Sequence, residues 1–162
     1  MKHKNLTINY TESDTISELP EADQLLMQEA IKSAGKAYAP YSGFSVGAAV
    51  LLSSGKIITG NNQENAAYPS GLCAERVALF AASALYPDVK IDTIVVTIKT
   101  AHKITEPVSP CGACRQVIAE YENRQNQKIK IIFSGETGKS ITVDGIENLL
   151  PIIFNSRKMN KE

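Results

Sequence analysis

The chain has 162 residues with 43% hydrophobic and 21% charged side chains, enough for one domain with a full core and unlike a disordered segment. Its 17 basic residues balance its 17 acidic ones, so no global positive field gathers a nucleic-acid backbone. No apolar run approaches the roughly 20 residues of a membrane span, and the start of the chain lacks a signal-peptide core, which makes the reducing cytoplasm the expected compartment.

Lys4–Tyr10 alternates apolar and polar residues, the pattern of a short edge strand, and Thr11–Leu19 is polar and reads as a connector. Residues 1–19 therefore form an N-terminal extension without an assigned role. Pro20 followed by Glu21 and Asp23 opens a helix, and helical spacing of Leu26, Ala30, Ile31, Ala34 and Tyr38 carries it over about 21–37. Val46–Leu52 and Ile57–Asn61 form a hairpin around the turn cluster Ser53-Ser54-Gly55-Lys56. An irregular loop, 62–72, leads to a second helix, Cys73–Leu85. Ile91–Lys99 is the most β-branched stretch and reads as a buried central strand. A third helix covers Cys111–Tyr121, followed by strands Lys130–Ser134 and Ser140–Val143, one helical turn over Ile146–Leu150, and the apolar tail Ile152-Ile153-Phe154. This order predicts one α/β domain over 1–162: a three-layer α/β/α sandwich around a mixed five-stranded sheet.

The chemistry gathers at two helix openings. Cys73-Ala74-Glu75-Arg76 and Pro110-Cys111-Gly112-Ala113-Cys114 hold all three cysteines. Cys111 and Cys114, three apart, share a helix face, and Cys73 can converge on the same point. A Cys-x-x-Cys pair is also compatible with a redox dithiol or with half of a structural zinc site. Structural zinc wants four ligands, however, and His3 and His102 are poorly placed to serve. Three thiolates on Zn²⁺ leave a position for water and a net negative charge, which two helix N-termini and Arg76 can offset. Arg76 is equally compatible with a surface salt bridge. Glu75 can take a proton from water, or merely favour the helix dipole.

Together the two motifs resemble the cytidine deaminase family, in particular its small free-nucleoside branch. Tyr38-Ala39-Pro40-Tyr41-Ser42-Gly43-Phe44-Ser45-Val46-Gly47-Ala48-Ala49, Asn62-Gln63-Glu64-Asn65-Ala66-Ala67-Tyr68 and Leu149-Leu150-Pro151-Ile152-Ile153-Phe154 resemble further segments of that branch. The resemblance implies zinc as cofactor on Cys73, Cys111 and Cys114, with Glu75 as proton shuttle. It implies hydrolytic deamination of cytidine and 2′-deoxycytidine in pyrimidine salvage. Phe44 would line the pocket, Asn62 and Glu64 would bind the 3′-hydroxyl, and the Ala74 backbone amide would meet the pyrimidine. Phe154 would reach a neighbouring subunit's site in a homotetramer, although the residues between Pro151 and Phe154 are bulkier than that pattern. Taken singly, Phe44 also suits the core, Asn62 an Asx turn and Glu64 a solvated loop. The alternatives are a same-fold deaminase of another substrate, such as an aminonucleoside antibiotic, and a non-catalytic zinc-stabilised interaction module.

Overall fold

The computed structural model describes residues 1–155. Six strands form one sheet: β1 (Thr11–Ser13), β2 (Ser45–Leu52), β3 (Ile57–Asn61), β4 (Ile91–Lys99), β5 (Lys130–Ser134) and β6 (Ser140–Asp144). Their order is β1-β6-β5-β4-β2-β3, with β4 and β5 parallel and the other neighbours antiparallel. Helix α1 (Glu21–Ala34) packs on one face, while α2 (Ala74–Leu85) and α3 (Gly112–Gln125) pack on the other. The expected three layers are present, around six strands instead of five.

The alternation within β4 shows why its middle, Ile94-Val95-Val96, is continuously apolar. Val95 joins Leu26, Met27 and Ala30 of α1, whereas Ile94 and Val96 join the cluster under α2 and α3. A strand covered on both faces takes apolar side chains on both, and a buried polar one such as Thr97 has its hydroxyl bonded, here to the Gly135 carbonyl at 2.9 Å. Two glycines set how closely the helices approach. A Cβ on Gly60 would lie 2.5 Å from the backbone nitrogen of Ala78 in α2, and one on Gly47 would strike the Ala30 carbonyl of α1. Buried Ala74, Ala78 and Ala82 complete the fit of α2 against the sheet. Asp23, in the first turn of α1, is buried and pairs with Lys130 of β5 at 2.7 Å.

The N-terminal expectation needs correction. Lys4–Tyr10 is not a strand; the strand is Thr11–Ser13, paired to Ser140–Thr142. In this register Asn9 falls level with Asp144, where β6 ends, and Gly145 then turns away at φ 90°, so Lys4–Ile8 run past the end of the ladder. The Asn9 N–H instead donates to Asn148 Oδ1 at 2.9 Å, and Leu6, Ile8 and Tyr10 stay exposed. Thr11–Leu19 is accordingly more than a connector. After β1 it makes a 3-10 turn at Ile16–Glu18 and buries Leu19 against α1.

Two helix ends also differ. Helix α1 stops at Ala34, because Tyr38 is drawn into backbone bonds with Asn62 and Glu64 (3.0 and 2.9 Å). Helix α3 continues past Tyr121 to Gln125 and ends on Asn126, a left-handed residue at φ 49°. Its polar last turn is held by Glu122, whose Oε1 accepts the N–H groups of Ile129 and Ile146 at 2.9 and 3.0 Å.

Candidate active site

Cys73 and Cys111 occupy equivalent places: each is the capping residue just before the first turn of its helix, α2 and α3 respectively. Strands β3 and β4 run in the same direction, because both pair antiparallel to β2, so both helices begin beyond the carboxyl ends of their preceding strands. Sites in open α/β sheets sit at such ends. Cys114 lies one turn into α3 and is fully buried.

The three sulfurs lie within 4.8 Å of one another, with Cys73–Cys111 at 3.8 Å and Cys111–Cys114 at 3.5 Å. A tetrahedral ion about 2.3 Å from each sulfur separates them by about 3.8 Å, close to the Cys73–Cys111 and Cys111–Cys114 separations, so this donor set fits zinc. Protons are shared unequally within the cluster. Hydrogen bonding from Cys114, then from Arg76 and Cys111, brings the Cys73 thiol down to about 5. The bond to Cys73, followed by burial, pushes Cys114 up. Arg76 directs Nη2 at Cys73 Sγ (3.7 Å) and at the Gly71 carbonyl (3.5 Å), which gives a cation beside the thiolate and not a surface salt bridge.

Glu75 lines the same cleft yet is only 4% exposed. Burial raises its carboxyl above the ordinary range, Cys73 adds to this, and Cys114 and Arg76 oppose it. A carboxyl so placed exchanges protons closer to neutrality than a solvated one.

The cleft has a volume of about 720 Å³, within the range that holds a small organic ligand. Phe44, Val46, Val96 and Ile98 supply apolar wall, and Tyr41 and Tyr68 meet edge to face at its rim with centroids 6.0 Å apart. Asn62 lines the cleft, but its Oδ1 accepts from Val46 N (2.7 Å) and its Nδ2 donates to the Phe44 carbonyl (2.9 Å). One amide N–H is left for a ligand. Glu64 is a cleft residue whose Oε2 accepts the Tyr41 and Ser42 N–H groups (2.9 and 3.3 Å) and whose Oε1 accepts the Ser42 hydroxyl. Ala74 is buried at the start of α2, outside the cleft lining. Phe154 is 67% exposed, also outside the lining, with its carbonyl held by Gln116 Nε2 at 2.8 Å.

Residues to which the sequence assigned no role also organise the site. Arg115 donates to the carbonyls of Pro110 (2.7 Å) and Leu149 (2.8 Å) and to Ser109 Oγ (2.9 Å), joining the ligand turn to the C-terminal segment. Ser42 joins two loops of the pocket. Both lie inside motifs already noted, but neither motif discloses which distant atoms they meet.

A helix-borne set of three thiols with a buried carboxyl beside it, opening on a ligand-sized cleft, defines a metal-dependent catalytic type of site. Residues 20–129 match the family model described as the cytidine and deoxycytidylate deaminase zinc-binding region, a span that contains all three cysteines and Glu75. The chain belongs to this family. A cytidine deaminase of Halalkalibacterium halodurans is 40% identical over 137 residues, covering 85% of this chain and 97% of that one. A cytidine deaminase of Sporosarcina psychrophila is 46% identical over 101 residues, 60% of this chain and 68% of its own. The crystal structure of cytidine deaminase from Burkholderia pseudomallei superposes with a TM-score of 0.69 at 37% identity, covering 80% of this chain and 97% of that chain.

Proposed function

We infer that the protein catalyses the zinc-dependent hydrolytic deamination of cytidine and 2′-deoxycytidine to the uridine nucleosides and ammonia. The observation that carries this reading is the buried Glu75 carboxyl with three converged thiols, of which Cys73 and Cys111 line the same cleft as Glu75. Cys73, Cys111 and Cys114 hold the metal, which when bound supplies a Lewis acid that makes water nucleophilic at neutral pH. Glu75 takes a proton from water and delivers it to ring N3 as the C4–O bond forms. It then takes the second proton from the new C4 hydroxyl and gives it to the amine as the C4–N bond breaks, so that one water is consumed and one ammonia released. Arg76 offsets the thiolate charge.

At the other end, Phe44 packs against the nucleoside while Glu64 and the free Asn62 N–H take the 3′-hydroxyl. The backbone amide of Ala74, between the lining residues Cys73 and Glu75, is assigned to the pyrimidine although its side chain lies outside the cleft. Their contribution is orientation. A free nucleoside is favoured over a nucleotide: among the described lining residues Arg76 is the one cation, and it is committed to Cys73 and Gly71. We further propose a cytoplasmic enzyme of pyrimidine salvage. It would work as a homotetramer in which Phe154, solvent-exposed beside Ile152, completes a neighbour's site. Among the described residues no helix is long and apolar enough to cross a membrane.

Purified protein incubated with cytidine, deoxycytidine, cytosine and adenosine, and followed by ultraviolet absorbance, tests the reaction. Turnover of both cytosine nucleosides is expected; turnover of neither would overturn it. Light scattering should report a tetramer, and a fully active monomer would contradict the shared site.

A further inference from the structure

We propose that Ser42 is a positioning residue for substrate recognition: its hydroxyl fixes the Glu64 carboxylate so that one acceptor site faces the cleft. This rests on the reading of Glu64 as the sugar-binding acid. The hydroxyl carries one proton and two lone pairs. The Phe44 N–H, at 3.0 Å, uses a lone pair, and the proton goes to Glu64 Oε1. No other direction is open, since an ionised carboxylate only accepts. Gly43 makes this geometry accessible, as its φ of 65° folds the chain back so that the Phe44 N–H reaches Ser42 Oγ.

Glu64 thereby sits in a small pocket of donors supplied by two consecutive residues. Oε2 takes the N–H groups of Tyr41 and Ser42, and Oε1 takes the hydroxyl. A carboxylate offers about four lone-pair sites. Three are filled from the 41–42 turn, leaving one for a donor from the ligand. A sugar hydroxyl can supply that donor, whereas a phosphate or a keto group cannot. The Ser42 bond and the Tyr41 N–H hold the Glu64 carboxyl below the ordinary carboxylate range, so it stays an acceptor.

Glu64 lies on an exposed loop, and without the Ser42 hydroxyl only the two backbone N–H groups on Oε2 would hold it, leaving Oε1 to be ordered by the substrate. The same hydroxyl also ties Glu64 to the backbone of Phe44, which joins two sides of the cleft that come from separate loops.

The test compares kcat and KM for cytidine and 3′-deoxycytidine in the zinc-loaded wild type and in Ser42→Ala, Ser42→Thr, Glu64→Ala and the Ser42→Ala/Glu64→Ala double variant. The wild type should prefer cytidine. Ser42→Ala should raise KM for cytidine about tenfold with kcat retained, the scale of one hydrogen bond to a charged group. It should leave 3′-deoxycytidine unchanged, so that the preference collapses. Ser42→Thr, which keeps the hydroxyl, should retain the preference, and Ser42→Ala should add nothing once Glu64 is gone. A wild type that discriminates together with a Ser42→Ala variant that discriminates equally well, or a full additive loss in the double variant, overturns the role of Ser42 alone. A wild type that uses both substrates equally overturns the Glu64 reading and this proposal with it.

Discussion

The two ends of the cleft are built on different principles. The thiol end is set on helix openings pressed against the sheet: Cys114 and Ala74 are fully buried, and the sulfurs are already at metal-binding separation. The proposed sugar end is set on two exposed loops, and its acid owes its position to three hydrogen bonds from a neighbouring turn. Chemistry that depends on tenths of an ångström is carried by the scaffold. Recognition, which must admit and release a ligand, is carried by loops stiffened locally.

Separating the two ends should give the largest effect. Glu75→Gln is expected to lower kcat about 10³-fold, the scale of a lost general acid–base group, while metal analysis still finds zinc on the three cysteines. Undiminished turnover would remove Glu75 from the mechanism. Glu64→Ala attacks the opposite end and should lower kcat/KM for cytidine by about 10–100-fold, mainly through KM, with zinc content unchanged. Unaltered kinetics would show that the acid is merely a solvated loop residue. Gly60→Ala probes the scaffold beneath the thiol end. Its new Cβ meets the backbone of Ala78, so α2 must shift, at a cost of about 1–3 kcal/mol, read as a lowered urea midpoint. An unchanged midpoint would mean that α2 is less tightly seated than the sugar-side loops.

The smallest effect belongs to Glu122, remote from both ends. Burial, opposed by its two backbone bonds, raises its folded carboxyl above the ordinary 4.5. The folded state then binds the proton more tightly than the unfolded one, so this contribution is complete in acid and is lost as pH rises through the raised value. Glu122→Gln, which keeps an acceptor for Ile129 and Ile146, should therefore flatten the decline in stability from acid to neutral pH. An unaltered slope in urea titrations would reject the assignment.

Much of the thiol end was legible in the sequence, since cysteine spacing and helix-opening signals are local and few other residues can ligate a soft metal. The central strand was equally legible, because β4 is sandwiched between two layers and its composition says so. Legibility failed where the deciding partner is far along the chain. Thr11–Ser13 is polar and becomes a strand only because β6 offers it an edge. Asn62 combines the pocket role and the turn-like role that were weighed separately, because its side chain closes onto the start of β2 while still lining the cleft. Arg115 reaches Leu149, 34 residues away, which no local pattern encodes.

The three-residue strand added by the N-terminal extension has a colloidal consequence. Without it, β6 would offer a row of unpaired backbone groups to any passing extended chain. With it, the rim on this side of the sheet is Thr11–Ser13, and Glu12 pairs there with Lys139 at 2.7 Å. A rim this short and this charged is a poor template for fibrillar growth.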